Sequence, residues 1–396
     1  MKPITVALVC VVTAAALLAL RADRFGSPGA EPAAGSAHAP KVCEVVSPAL
    51  TRIGSVAGQE LESLLDGVEA ARFLVDGGIA LLNRNSQQVR VFESDGRFRK
   101  ALGRRGAGPG ELEDPISMDL LTDDSLAVWD WGQGRVMVFP IDDGEPRTVR
   151  LDPPPQNPDG TFGVGIGPHV FLLGAEPYSV PGRTPQEGNT TLNVLSYSAH
   201  GSLLDTLTVL PYGQRLWVDE ARREAGQPWF QPRGLFRVRN GTLYTTTGDT
   251  AVVWATALRE SGVDRLVTWD PSPREVRPEH LEAHRRATTE RVRSNIYLAE
   301  RMARVWNTMP SAERFPAVGD VRIDESDRVW IKEYDRPGEA GPTWRLLGAD
   351  GQLICTARLI DSFQAFDFFQ DRVVGLVRDA QGVEFLEIRR IVDPDR

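Results

Sequence analysis

The sequence predicts an all-β fold, a six-bladed β-propeller of four-stranded blades, closed by an N-terminal strand and carrying one helical insertion. Three observations predict it. A pattern of polar turn, alternating apolar strand, short turn and second strand returns six times. The last copy lacks a final strand that the N-terminal region can supply, and a stretch of helical composition breaks the longest interval between copies. The 37 glycines and 28 prolines among 396 residues suit many short strands joined by tight turns.

In chain order, Lys2 precedes a charge-free apolar run from Ile4 to Leu20, which Arg21 and Arg24 close. Residues 1–23 therefore read as a signal peptide or an N-terminal membrane anchor, because the run sits at the lower edge of the roughly 20 residues that span a bilayer. Residues 24–48, RFGSPGAEPAAGSAHAPKVCEVVSP, are rich in Ala, Gly and Pro and read as a linker. The propeller is expected over 49–396. Cys10 lies inside the apolar run, which leaves Cys43 and Cys355 as a candidate disulfide in a compartment that permits one.

The copies begin at Asp76, Asp123, Gly167, Asn240, Ser326 and Gln370. Their second strands are marked by Ile79, Leu126, Val170, Leu243, Val329 and Val373. Where neighbouring markers lie closest, their spacing is that of one four-stranded blade, roughly 40–50 residues. The intervals on both sides of Leu243 are longer and must hold insertions: Ala175 to Asn189 and Tyr212 to Pro232 on one side, Pro271 to Pro316 on the other. The last insertion contains PEHLEAHRRATTERVRSNIYLAERMARVWNTM, with Pro278 near its start and Pro310 after its end, and reads as helical. Its apolar residues, Ile296, Tyr297, Leu298, Met302, Val305 and Trp306, are expected to pack on the propeller. Its arginines form a basic face that reads as ordinary solvated helix, with an acidic partner or anionic lipid as the alternative.

Closure follows from an internal echo. LTRIGSVAGQELE (Leu50 to Glu62) is a worn copy of RKALGRRGAGPGELE (Arg99 to Glu113), in which the first part is an outer strand. Leu50 to Val56 should thus add the outermost strand to the sixth blade and remove the seam that an open ring would leave.

The stretch GRRGAGPGELEDP, Gly103 to Pro115, resembles the glycine-rich segment between blades of NHL-repeat propellers, with Leu112 in place of the usual Phe. Together with the six turn-strand units, the resemblance covers about Leu50 to Ile391. It implies a scaffold used by extracytoplasmic sensors, by protein-binding modules and, in a minority, by lyases or lactonases with a metal in the central channel.

Charge and motifs narrow the function. A net charge of −9 excludes a sequence-independent nucleic-acid binder, which needs a basic face. GVGIG (Gly163 to Gly167) lacks the following helix of a dinucleotide site, and GRRGAGPGE lacks the Lys-Ser/Thr of a phosphate loop. No GxSxG nucleophile elbow occurs. Histidines are few: His38 in the linker, His169 at the start of an inner strand, His200, and His280 with His284 in HLEAH. The last two stand one helical turn apart, yet the glutamate is misplaced for HExxH, so solvated helix is the reading for both. The acidic turn pairs Asp123-Asp124 and Asp142-Asp143 read as turns that satisfy backbone amides.

We therefore expect no catalytic residue, no metal ligand and no cofactor, with calcium or another divalent ion at the channel as the alternative. Trp129, Trp131, Tyr244, Trp330, Tyr334 and His169 are the candidate ligand-binding residues at the central face, the commoner reading being aromatics wedged between blades and a histidine that packs and hydrogen-bonds. The expected function is a non-catalytic binding or sensor propeller of the bacterial cell envelope. As a monomer, membrane-anchored, periplasmic or secreted, it would recognise a protein, peptide or glycan through rim loops. The alternative is a metal-dependent lyase or hydrolase at the channel mouth.

Overall fold

The computed structural model describes residues 41–46, 49, 51–54, 65–156, 158–165, 167–176, 188–258, 265–271, 274–339, 341–360 and 363–393. The segment 1–23 and the linker up to Pro40 lie outside these residues. Strands begin with β1 (Val42–Val45) and β2 (Thr51–Ile53). An antiparallel sheet follows from β3 (Val68–Phe73), β4 (Ile79–Asn83), β5 (Gln88–Phe92) and β6 (Phe98–Leu102), paired in that order. The next holds β7 (Pro115–Thr122), β8 (Ser125–Asp130), β9 (Arg135–Pro140) and β10 (Arg147–Arg150).

The third sheet has five strands: β11 (Pro158–Val164), β12 (Phe171–Ala175), β13 (Gly188–Tyr197), β14 (Leu203–Asp219) and β15 (Glu224–Gly226). The fourth has β16 (Leu235–Arg239), β17 (Thr242–Thr246), β18 (Val252–Ala257) and β19 (Arg265–Thr268). Two helices, α1 (Pro278–Val292) and α2 (Ile296–Thr308), precede β20 (Asp320–Ile323), β21 (Val329–Lys332), β22 (Thr343–Leu347) and β23 (Leu353–Arg358). The last strands are β24 (Gln364–Phe369), β25 (Arg372–Arg378) and β26 (Glu384–Val392).

The first strands of successive groups lie side by side in a cycle: β3 meets β7, then β11, β16, β20 and β24, and β24 meets β3. The core is accordingly not one mass but six apolar layers, each between neighbouring sheets. One joins Leu82 and Val91 to Met118 and Val128, and the layer completing the cycle joins Phe73 and Leu81 to Phe366 and Leu386. Second strands are packed on both faces, so IALLN of β4 is buried at every position and reads as a continuous apolar run rather than an alternating one.

Both chain ends meet at one place. β2 pairs antiparallel with β26, Thr51 opposite Ile388 and Ile53 opposite Leu386, as the echo of Arg99 to Glu113 predicts. Gly54, which corresponds to Gly103, has φ +138°, and a Cβ there would lie 2.8 Å from Phe385. The linker reading of 24–48 needs correction at its end, because Val42–Val45 is a strand. β1 pairs parallel with β23 and antiparallel with β26, and Cys43 is bonded to Cys355 on β23. The open edges of two sheets offer backbone partners that outweigh the Ala/Gly/Pro-rich context.

The glycine-rich stretch before β7 is held from beneath. Arg135 and Asp130 form a buried pair at 3.1 Å, exposed by 2% and 0%. Arg135 donates to the carbonyls of Ala107 and Glu111, both at 2.8 Å, while Asp130 accepts the amides of Glu113 and Asp114. Gly106 has φ +148° and a Cβ would collide with the Glu111 carboxylate, which accepts the Gly108 amide at 2.8 Å. The loop thus binds its own glutamate through the Gly108 amide, as a phosphate loop would bind an anion.

Two insertions take definite form. Tyr212 to Pro232 extends the third sheet: β14 runs through to Asp219 and returns as β15. The helical insertion holds two helices. Pro278 opens α1 at its first position, and Asn295 ends the run by capping α2, its side chain accepting the Leu298 amide at 3.2 Å. Among the described residues no helix is long and apolar enough to cross a membrane.

Candidate functional site

Within each antiparallel sheet, the start of the first strand and the turn between the second and third emerge at the same end. One rim of the cycle therefore collects the long additions: the β14–β15 extension, both helices, and the β21–β22 connection. Three cavities open there.

The first, about 490 Å³, lies at the centre and is lined by residues of all six first strands, among them Arg72, Ser117, Phe162, Arg237, Arg322 and Phe366. Its floor is an ionic network that laces neighbouring strands. Arg72 on β3 pairs with Asp119 on β7 at 3.0 Å, and Asp119 accepts the Val164 amide of β11 at 3.1 Å. Arg237 on β16 pairs with Asp320 on β20 at 2.5 Å, and Arg322 meets the same carboxylate at 2.8 Å. Asp367 on β24 accepts the Phe73 amide at 3.0 Å. Burial lowers the Arg322 pKa to about 10. Burial opposes ionisation of Asp320, but Arg322 and Arg237 outweigh it and hold the carboxyl below its usual range. Asp367 goes the other way: burial raises it beyond the pull of Arg72 and Arg239.

The second cavity, about 870 Å³, lies between the last two sheets and has mixed charge, including Lys332, Glu333, Arg336, Glu339, Arg358 and Arg378. The third, about 790 Å³, lies beneath the helices and is mostly aromatic and aliphatic, with Trp229, Phe230, His284, Leu298, Met302 and Tyr334 in its wall. The three are neighbours that share wall residues: Arg322 lines the first two, and Gly319 and Tyr334 line the second and third.

The third cavity is built by packing aromatic rings from three separate segments. Trp229 stacks on Trp306 with centroids 4.2 Å apart, His284 meets both edge-on, and Phe230 packs on Phe315 and His284. Trp306 also donates to Thr288 at 3.2 Å, which fixes α2 against α1. Glu224 on β15 clamps α2 to the extension through Arg301 at 2.8 Å and Arg304 at 2.9 Å. Burial opposes the ionised form of Glu224, but Arg304 and Arg301 prevail and depress its pKa. Burial, aided by Arg291, lowers the His284 pKa, which favours the uncharged ring among its aromatic neighbours. HLEAH is therefore not solvated helix. His280 is buried, its Nδ1 accepts the Arg277 amide at 3.0 Å, and its Nε2 faces Glu339 at 3.2 Å.

The sequence-derived ligand residues do not converge. Trp129, Tyr244 and Trp330 are 1–2% exposed and pack between sheets, Trp330 stacking on Phe368 at 4.2 Å. Their apolar faces fill the core, so they are not surfaces for a ligand. His169 bonds Ser196 through Nδ1 at 2.6 Å, beside the start of β12. Trp131 borders the central cavity and Tyr334 the other two. Of the acidic turns, Asp124 accepts the Thr122 hydroxyl and Asp142 an Arg99 guanidinium N–H. Among the described residues no three His, Cys, Asp or Glu side chains are grouped as metal ligands would be. Sequence reasoning missed Trp229, Phe230 and Arg233, although paired aromatics between prolines in QPWFQPRG were a signal.

Residues 62–155 match a family described as a 6-bladed beta-propeller. With the cyclic strand order, this decides the architecture. The fold is a β-propeller. Solved structures similar to it include an exported-protein candidate from Bacteroides fragilis, 12% identical, covering 90% of this chain and 97% of that one with a TM-score of 0.47. A duf4221-family member from Bacteroides vulgatus is 10% identical, covering 89% and 99% with a TM-score of 0.46. A catalytically inactive virginiamycin B lyase from Staphylococcus aureus, solved with quinupristin, is 10% identical, covering 84% and 82% with a TM-score of 0.38. No curated protein sequence matches the chain. At these identities none of the solved structures lends the propeller an activity.

Proposed function

We propose that the chain is a six-bladed, NHL-like propeller of the cell envelope that binds a partner at its helix-bearing rim without transforming it. In this reading each group of strands is one four-stranded blade, β2 completes the last, and the β14–β15 extension is an addition to the third. The observation that carries the proposal is the group of neighbouring rim cavities, of which the one beneath the helices is walled by the chain's largest additions to the repeated framework. Loops and insertions placed on one end of a rigid scaffold are where recognition usually resides.

The charge-free run Ile4 to Leu20 supports export or anchoring. The Cys43–Cys355 bond fits an oxidising compartment. The protein acts as a monomeric propeller whose partner is a protein, peptide or glycan. A test is to incubate the purified full chain with divalent metals and panels of lactones and esters. No saturable turnover is expected, whereas saturable metal-dependent turnover would replace the binding reading with hydrolase or lyase chemistry.

A further inference from the structure

We propose that the cavity beneath the helices takes a peptide segment in which an apolar side chain stands beside a carboxylate. The inference rests on the rim-binding reading and deepens it.

The first ground is local charge. The chain as a whole carries −9, yet the described lining of this cavity contains Arg215, Arg233 and Arg301 and neither Asp nor Glu. Two of these arginines are already matched: Arg215 by Glu176 at 3.1 Å and Arg301 by Glu224 at 2.8 Å. Arg233 has no carboxylate within ion-pair distance among the described residues. It is nonetheless held in place, lying over the Tyr212 ring at 5.3 Å and donating to Gln227. A cation restrained in this way has lost part of the side-chain freedom that ion pairing would otherwise cost, which favours a planar anion such as a carboxylate.

The second ground is what surrounds the cation. Trp229, Phe230, Leu298, Met302 and Val305 form a continuous apolar wall, and Leu298 is 46% exposed on it. Such a wall gains by covering an apolar side chain, at roughly 25 cal/mol per Å² removed from water. The third ground is placement: Tyr334 and Gly319 line both this cavity and the mixed-charge cavity beside it. A chain anchored in the first by one side chain has the second next to it, whose cations and carboxylates offer partners for its backbone and polar side chains.

The test uses the full chain and two fluorescein-labelled hexapeptides, one of alternating Glu with Leu and Phe, the other with Gln replacing every Glu. Fluorescence anisotropy should show saturable binding of the acidic peptide, at least tenfold tighter than the Gln peptide and weakened by salt. Arg233→Gln and Leu298→Asp should each weaken it about tenfold or more. Both positions are exposed, and far-UV circular dichroism will verify that the variants fold. Equal binding of both peptides, no binding of either, or indifference to both variants would overturn the assignment. Displacement of the peptide by 4-phenylbutyrate at equal or lower concentration would also overturn it, showing that the occupant is a small acid. Rim cross-linking of a partner in cells would survive any of these failures, so the loss of this ligand class is distinguishable from the loss of the rim-binding reading.

Discussion

Reducing the Cys43–Cys355 bond, or replacing both residues by serine, should destabilise the propeller without opening it. The two cysteines are 312 residues apart, so the bond closes nearly the whole described fold into one loop. The entropy removed from the unfolded chain grows only with the logarithm of loop length, giving an upper bound of about 5–6 kcal/mol, of which native bridges typically deliver about 2–5. For one cooperative unit of this size that corresponds to a fall in melting temperature of about 3–7 °C. The ring should survive, because β2 still pairs with β26 and the layer from Phe73 to Leu386 is untouched. Urea unfolding of the full chain with and without reductant reads both quantities. The midpoint should fall and the slope rise, since a chain without the cross-link is less compact when denatured. Identical midpoints and slopes, with thiol titration proving the bond reduced, would refute the closure argument.

Other consequences are as direct. Asp130→Asn leaves the buried Arg135 without its charge partner and should cost about 3–5 kcal/mol in thermal unfolding, more than Asp130→Asn with Arg135→Met combined. Because burial, then Arg291, holds the folded-state pKa of His284 below its usual value, the unfolded chain takes up that proton first as pH falls. The contribution is fully present above the ordinary histidine pKa of roughly 6.5 and is lost as pH drops through the folded value. His284→Phe should therefore flatten the dependence of melting temperature on pH between 7.5 and 5.5. Glu224→Gln removes the clamp on Arg301 and Arg304, and faster amide hydrogen exchange in α2, with β16–β19 unchanged, is the expected result.

What was legible in the sequence follows physical range. Short apolar runs and the turn residues that bound them are local, so Ile79, Leu126, Val170, Leu243, Val329 and Val373 mark second strands, each inside or beside β4, β8, β12, β17, β21 and β25. The closing strand was legible because its sequence repeats that of an intact outer strand. β1 was not, because its partners on β23 and β26 lie more than 300 residues away and nothing in VCEV marks a strand against its surroundings. The ionic floor was equally hidden: that Arg72, Asp119, Asp320 and Asp367 face one another is decided by the packing of whole sheets. Aromatic residue type alone does not separate a wedge between blades from a ligand platform. Trp129 and Trp330 look like ligand platforms in sequence but fill gaps between sheets, whereas Trp229 and His284 form a cavity wall only once two distant insertions fold onto one rim. The first turn of α2 departs from expectation for the same reason. Ile296 and Tyr297 are 67% and 82% exposed, because the packed face of that helix begins further along, where Arg301, Arg304 and Trp306 meet the extension and α1.

The most direct measurement is photo-cross-linking in the producing cells from position 298, on the helix-bearing rim, compared with position 123, in the exposed β7–β8 turn at the opposite end of the strands. A discrete adduct from 298, diminished by Arg233→Gln, and none from 123, is the expected result. Equal adducts from both positions, or an adduct from 123 alone, would contradict it.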